Sequence, residues 1–125
     1  MLDFAAPIYL VPSKLKTVNL KSDRPTVQQA LERLDRELML ARDQKSRLLK
    51  VIHGYGSTGA GGDIRIAVQK RLRELVEAGN IAGCIFGENW SQGDEETWRL
   101  VRARTDLKDD PDLGRGNLGI TVVIL

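Results

Sequence analysis

The residues best suited to chemistry lie in one short stretch, HGYGSTG, at 53–59. His53, which opens it, could act as a general base, bind a phosphate, or hydrogen-bond the backbone of the following loop. Glycines allow the backbone to bend and to approach a ligand closely, and the free N–H groups at the start of a helix favour negative charge. The stretch therefore predicts a site for a phosphate or another anion. It leaves open whether the site cuts its ligand or only binds it.

A predicted strand and a predicted helix must position this loop. The apolar run at 48–52 indicates a buried strand. The glycines at 61–62 postpone the next helix, so that Asp63 is its expected N-cap. Arg65 falls in the first turn beside the loop and is the helix residue best placed to contact an anion. The basic residues of this helix equally suit a solvated surface.

The rest of the chain continues the alternation of strands and helices. Thr26 followed by Gln29 is a capping-box pattern that indicates the start of a helix. The order β-α-β-α-β-(α)-β predicts an α/β fold with a mixed, partly parallel sheet. The further strands are predicted at 14–21, 81–86 and 118–125, and the further helices at 26–43 and 94–104.

Length and composition fit one globular domain of 125 residues. Pro7 and Pro12 bracket a short apolar run, which predicts an extended arm at 1–15 and a single domain at 16–125. One cysteine excludes an internal disulfide, and one histidine excludes most histidine-based metal sites. No apolar run is long enough for a membrane helix, and no secretory leader is evident. We therefore expect a cytoplasmic protein with no membrane partner.

Charge is unevenly distributed along the chain. Residues 94–113 contain seven acidic and four basic residues, a net charge of −3, which leaves +5 for the remainder because the whole chain carries +2. A positive body with an acidic appendage fits a polyanionic partner. It also fits an ordinary solvated surface.

The loop also matches the G-x-G-x-x-G fingerprint of dinucleotide-binding folds, at Gly54, Gly56 and Gly59. Three features count against that interpretation. The chain is short for a full dinucleotide domain, the loop follows the second strand rather than the first, and the glycines at 61–62 postpone the helix. A P-loop is excluded because no Gly-Lys-Ser/Thr follows. We expect no organic cofactor.

A divalent ion stays possible, but the sequence shows no ligand set for it. Asp109, Asp110 and Asp112 are the densest group of carboxylates. They lie in a polar, turn-rich stretch without a set geometry, which predicts a solvated turn rather than a metal site.

Three motifs, taken together, resemble the small MutS-related (Smr) domain family. Family members typically carry Leu-Asp-Leu-His-Gly at the first strand, His-Gly-x-Gly-x-Gly after the second, and Gly-x-Thr-x-Val-x-Leu at the last. This chain has VNLKS at 18–22, HGYGSTG at 53–59 and GITVVIL at 119–125. The resemblance covers about residues 16–125, with an insertion near 89–113.

The resemblance implies a two-layer α/β sandwich, similar to the C-terminal domain of a translation initiation factor, that binds DNA or RNA. Some family members nick DNA or cleave RNA. Where the family has Asp and His, this chain has Asn19 and Lys21, which removes an acid–base candidate and a carboxylate that could hold a metal ion. We therefore expect nucleic-acid binding with weak or absent endonuclease activity. For any cleavage, His53 is the available proton carrier.

Residues outside the loop complete the predicted site. Lys21 could contact a phosphate, and Tyr55 could stack on a base or pack on the domain. Arg115 and Asn117, in the turn before the last strand, could lie close to the loop in an α/β sandwich. The predicted nucleic-acid-binding residues are His53, Gly54, Tyr55, Gly56, Gly59, Arg65, Arg115, Asn117 and Lys21.

A second interpretation comes from a different class of protein. The acidic stretch at 94–113, atypical for a nucleic-acid binder, fits a non-catalytic interaction domain whose glycine loop binds a small anionic ligand, a nucleotide or a protein partner. Trp90 and Trp98 are expected to form a local core in this part of the chain. Cys84, in the middle of a predicted strand, is expected to be a buried and inert thiol.

Overall fold

The computed structural model describes residues 15–55 and 60–125. Within these ranges, four strands form one mixed sheet with the order β1-β2-β4-β3. Strand β1 is parallel to β2, and β4 is antiparallel to both of its neighbours. The predicted α/β fold with a mixed sheet is confirmed, whereas the predicted arm lies almost entirely outside the described residues. The strands are β1 (Lys16–Asn19), β2 (Leu48–Ile52), β3 (Gly83–Phe86) and β4 (Ile120–Ile124).

Three α-helices lie between the strands in the described part of the chain. Helix α1 (Val27–Asp43) connects β1 to β2, and α2 (Ala60–Glu77) connects β2 to β3. Helix α3 (Glu95–Ala103) lies between β3 and β4, with 3₁₀ turns at Gly87–Asn89 and Thr105–Asp109 on either side. The element order therefore agrees with the predicted one.

Helix α1 starts at the capping box that the sequence predicts. The Thr26 hydroxyl accepts a hydrogen bond from the Gln29 backbone N–H at 3.1 Å. The Gln29 side chain in turn accepts one from the Thr26 N–H at 2.9 Å. Leu34 and Leu38, which lie at helical spacing after this start, are buried against the sheet. Local capping and the apolar face thus agree on where the helix begins and how it packs.

Helix α2 begins at Ala60, three residues before the predicted N-cap, so that prediction is wrong. Asp63 lies in the first turn, where a carboxylate suits the positive end of the helix dipole. Glycine is unfavourable chiefly in the interior of a helix, and Gly61 and Gly62 lie in its first turn. The glycines at 61–62 therefore do not postpone the helix, and that argument against a dinucleotide site no longer holds. The antiparallel pairing of β2 with β4 still counts against such a site, because dinucleotide folds place parallel strands beside the glycine loop.

Both faces of the sheet are covered, as the alternation of side chains along β2 shows. Leu49 and Val51 pack into a core with α1 and α2. Leu48 and Ile52 point to the opposite face and pack with Trp90 and its neighbours. The predicted insertion therefore belongs to a layer of the fold, because it closes a face of the sheet that would otherwise expose apolar side chains to water.

The layer on this second face is built around Trp90. Its side chain is fully buried, as predicted, and packs with Val101 of α3 and Leu107 of the following turn. Its indole Nε1–H donates to Asp110 at 2.9 Å, so the one polar atom of the ring is satisfied.

Two other predictions for side-chain burial are not met. Trp98 is 44% exposed, because Thr97 and Val101 form the buried stripe of α3 and Trp98 lies one residue off that stripe. The Arg102 guanidinium covers the ring at 4.4 Å from its centroid. Cys84 is partly rather than fully buried, and this burial raises the pKa of its thiol.

Lys50 joins the sheet to the second layer. It lies in the middle of β2 and is only 4% exposed. Its Nζ donates to Asp110 at 2.8 Å and to Asp112 at 2.6 Å. The predicted solvated turn is therefore wrong for these two carboxylates, which a buried cation holds against the sheet.

The ion pairs favour the charged forms of Lys50 and Asp112. Burial acts to lower the pKa of Lys50, but its bonds to Asp110 and Asp112 outweigh burial and raise that pKa. Burial acts to raise the pKa of Asp112, but hydrogen bonds from Lys50 and Asn117 lower it. Removing the cation would leave two carboxylates uncompensated in a largely dry environment.

We expect Lys50→Met to lower the free energy of unfolding by about 3 kcal/mol, because it leaves Asp110 and Asp112 without their cation. Urea denaturation at neutral pH measures the change. Lys70→Met, at an exposed position of α2, is the matched control and should change stability by about 0.5 kcal/mol or less. Equal effects of the two substitutions would show that the buried ion pairs do not hold the layer.

Candidate functional site

The described beginning of the predicted loop, His53 to Tyr55, lies where the ends of β1 and β2 meet the start of β4. The Leu20 N–H donates to the Ile52 carbonyl at 2.8 Å, which carries the β1 pairing one residue past the strand. The N–H groups of His53 and Gly54 both donate to the Gly119 carbonyl at 3.0 Å. The first, second and third family-like motifs are thus in contact at one end of the sheet.

His53 lies beneath the loop and is completely buried. Its Nδ1 lies 2.8 Å from the Gly54 carbonyl oxygen, which can only accept, so Nδ1 carries the proton and donates. Its Nε2 lies 2.9 Å from the Thr121 hydroxyl and accepts from it. Both ring nitrogens are therefore engaged, and in this arrangement neither is free to take a proton from a ligand.

The hydrogen bonds continue from Thr121 to the surface. The Gln69 side-chain amide donates to the Thr121 hydroxyl at 3.5 Å. The Gln69 carbonyl oxygen accepts from Arg65 Nη1 at 3.4 Å. With the Thr121 hydroxyl donating to Nε2, every donor in this chain points from Arg65 towards the Gly54 carbonyl, and His53 is in its neutral, Nδ1-protonated form.

The electrostatic environment also favours neutral His53. Burial is the largest effect and lowers the pKa of His53 below its ordinary value of 6.5. The hydrogen bond to Gly54 acts in the opposite direction, and the positive charge of Arg65 adds to the lowering. Glu88 partly offsets the charge of Arg65. At neutral pH His53 is therefore an uncharged part of the protein interior.

Tyr55 and Arg65 form the exposed side of this network. Tyr55 is 54% exposed, and the Arg65 guanidinium lies over its ring at 5.4 Å from the centroid. The Nε of Arg65 is buried and has no hydrogen-bond partner among the described residues. A buried N–H without an acceptor is uncommon, and because this atom is buried a ligand can bind Arg65 only at the outer end of its guanidinium.

Lys21 lies against the loop backbone at Gly54. Gly54 has a φ of +79°, and its missing side chain leaves room for Lys21, whose Cδ is 3.3 Å from the place a Cβ would occupy. The Lys21 N–H donates to the Asn19 side chain at 2.9 Å, which orients the turn after β1. Lys21 is exposed, so its ammonium can meet a ligand beside the loop.

The turn before β4 holds two predicted site residues. Asn117 forms hydrogen bonds within the fold, whereas Arg115 is exposed. The Asn117 amide donates to Asp112 at 2.9 Å, and its carbonyl oxygen accepts from the Gly119 N–H at 2.8 Å. Asn117 therefore joins the Lys50 network to Gly119 beneath the loop. Arg115 is exposed on this turn, and no contact between it and the loop is evident among the described residues.

Some predicted site residues cannot be placed, and some participants were not predicted. Gly56 and Gly59 lie outside the described residues. Sequence reasoning assigned no function to Thr121 or to Gln69. Thr121 carries a signal that could have found it, because it is a polar residue inside an apolar strand. The spacing of four residues between Arg65 and Gln69 likewise places both on one helical face.

The described residues do not form a cluster of three or more His, Cys, Asp or Glu side chains that could hold a metal ion. No helix among them is long and apolar enough to cross a membrane.

Comparison with known proteins gives one informative similarity. No protein-family model matches this sequence, and no curated protein matches it either. The structure is similar to the crystal structure of the Smr domain of Thermus thermophilus MutS2, with a TM-score of 0.55 and 25% sequence identity. The similarity covers 89% of this chain and 98% of that one. The chain is an Smr-like domain. The Smr-like fold thus extends over nearly all of the sequence, as the three motifs predicted.

Stability of this Smr-like domain should fall as the pH is lowered through the range in which histidine titrates. The pKa of folded His53 lies below 6.5, so the unfolded chain binds the proton first as the pH falls. The free energy of unfolding is then unaffected by His53 above about pH 6.5 and decreases below it, down to the folded pKa.

Urea denaturation between about pH 7.5 and about pH 5.5 tests this expectation, since His53 is the chain's single histidine. His53→Gln removes the titrating group and should flatten the dependence on pH, whatever its effect on absolute stability. Wild-type stability that increases towards pH 5.5 would show that the charged form is favoured instead.

Proposed function

We propose that this Smr-like domain binds nucleic acid at the surface formed by Lys21, Tyr55 and Arg65, which we term the loop surface. The observations that support this most directly are the packing of the Lys21 side chain against Gly54 and the position of the Arg65 guanidinium over the exposed ring of the next residue, Tyr55. Cations bind phosphates and aromatic rings bind bases, so the three groups together suit a nucleotide chain.

The start of α2 adds to the positive character of this region. The helix begins at Ala60, a few residues after Tyr55, and Arg65 lies in its second turn. Free N–H groups and the helix dipole favour an anion near a helix start. Phosphate binding here would thus combine the charges of Lys21 and Arg65 with the field of the helix.

The same geometry supports weak or absent phosphodiester cleavage. His53, the proton carrier that the sequence offers, is buried, neutral and bonded at both nitrogens. Asn19 and Lys21 occupy the positions of the Asp and His in the family's first motif, and Asn19 bonds the adjacent backbone. General acid–base catalysis requires a group within reach of the substrate, and the loop surface lacks one among its described residues.

The acidic stretch at 94–113 is the sequence feature that favours a small anionic ligand or a protein partner over nucleic acid. In the structure it gives that alternative less support. Asp110 and Asp112 are paired with Lys50, and Asp106 is paired with Arg104 at 2.9 Å. The stretch packs on the face of the sheet opposite α1 and α2. Its charge is therefore partly neutralised within the fold.

Binding to labelled RNA and DNA, measured by fluorescence anisotropy between about 50 and 200 mM salt, tests the proposal. We expect affinity to fall steeply with salt, because phosphate contacts release counterions. Lys21→Ala and Arg65→Ala should each lower affinity several-fold and reduce the log–log salt slope by about 0.7 to 0.9.

The matched controls are Lys108→Ala and Arg99→Ala, two exposed cations of the second layer, which should leave affinity and slope nearly unchanged. Absence of binding at low salt would contradict the proposal. Thermal stabilisation by mononucleotides together with no binding to RNA or DNA would favour a small anionic ligand instead.

A further inference from the structure

We infer that the ligand of the loop surface is a single strand, with an unpaired base stacked on Tyr55 and a phosphate next to Arg65. This inference rests on the proposed function and specifies its ligand class. It is carried by two observations on this chain, the exposed ring of Tyr55 and the Arg65 guanidinium that lies over it.

The ring of Tyr55 is held in place before any ligand arrives. Arg65 covers it at 5.4 Å, and Arg65 is itself held by Gln69, which is buried at 6% exposure. More than half of the tyrosine nevertheless remains exposed. A ring that is already positioned loses little conformational freedom on binding, so stacking on it is favourable.

Arg65 has a donor left over for the strand. Its Nη1 bonds Gln69, and the outer end of the guanidinium carries further N–H donors besides the buried Nε. A phosphate oxygen that follows the stacked base can accept from this outer end, and a charge-assisted bond to phosphate is among the stronger hydrogen bonds in proteins. Lys21, which packs against Gly54, can then contact a neighbouring phosphate.

A single strand satisfies these groups better than a duplex does. In a duplex the bases are stacked on each other and present only their edges in the grooves, so no base face is available for Tyr55. An unpaired base exposes both faces. The pairing of a stacking ring with flanking cations therefore selects for unpaired nucleotides without requiring a particular sequence.

The decisive experiment compares three ligands of about equal phosphate number: a single-stranded oligonucleotide, the same strand with abasic sites, and a duplex of half that length. We expect the wild-type domain to bind the intact single strand roughly 5- to 150-fold more tightly than the abasic strand, the range for one stacked base. It should also prefer the single strand to the duplex.

Three variants locate the effect. Tyr55→Ala should lose the preference for the intact strand and keep its affinity for the abasic strand, because phosphate contacts are retained. Tyr55→Phe should behave like the wild type, since stacking needs the ring and not the hydroxyl. Trp98→Ala is the matched control, because Trp98 is also an exposed ring covered by an arginine, and it should leave the preference unchanged.

The outcomes separate this inference from the proposed function. Equal, salt-dependent affinity for intact strand, abasic strand and duplex would overturn the stacking inference and leave nucleic-acid binding in place. Loss of the preference in Trp98→Ala rather than in Tyr55→Ala would also overturn it. Failure of every ligand to bind at low salt would overturn the proposed function itself.

Discussion

The backbone at Gly54, where the loop after β2 begins, is held by a buried, neutral histidine. His53 donates to the Gly54 carbonyl and accepts from Thr121, and the same direction of donors continues through Gln69 to Arg65. A proton on Nε2 would make His53 a second donor to the Thr121 hydroxyl, beside the Gln69 amide, so that the hydroxyl would accept from His53 and no longer donate to it. The interior of the domain thereby fixes the position of a side chain at its surface.

A second polar network approaches the loop from the opposite face of the sheet. Lys50 holds Asp112, Asp112 accepts from Asn117, and Asn117 accepts from the Gly119 N–H. The Gly119 carbonyl then accepts from the two residues that begin the loop, so the networks of both faces meet at this glycine. Buried polar groups of this kind are costly unless they are fully paired, which explains why each of them has a definite partner.

These networks favour binding over catalysis. A histidine that organises a loop with both nitrogens cannot also exchange protons with a substrate in the same conformation. Among the described residues, the groups available at the loop surface are an ammonium, a guanidinium and an aromatic ring, which can attract and position a ligand. Asn19 and Lys21, where the Smr motif has Asp and His, agree with the proposed role in binding rather than in catalysis.

The sequence by itself determined the order of elements, the capping box of α1, the strand before the loop and the resemblance of three motifs, because these depend on local spacing and on hydrophobic periodicity. Local rules failed at the start of α2, where the first turn tolerated two glycines, and at Trp98, one residue away from the buried stripe. Only the tertiary structure decided the roles of Lys50, Thr121 and Gln69, since their partners lie 52 to 68 residues away in the chain. Whether a polar residue in an apolar strand is a defect, a ligand group or a structural donor depends on what the fold places opposite it, and spacing along the sequence does not contain that information.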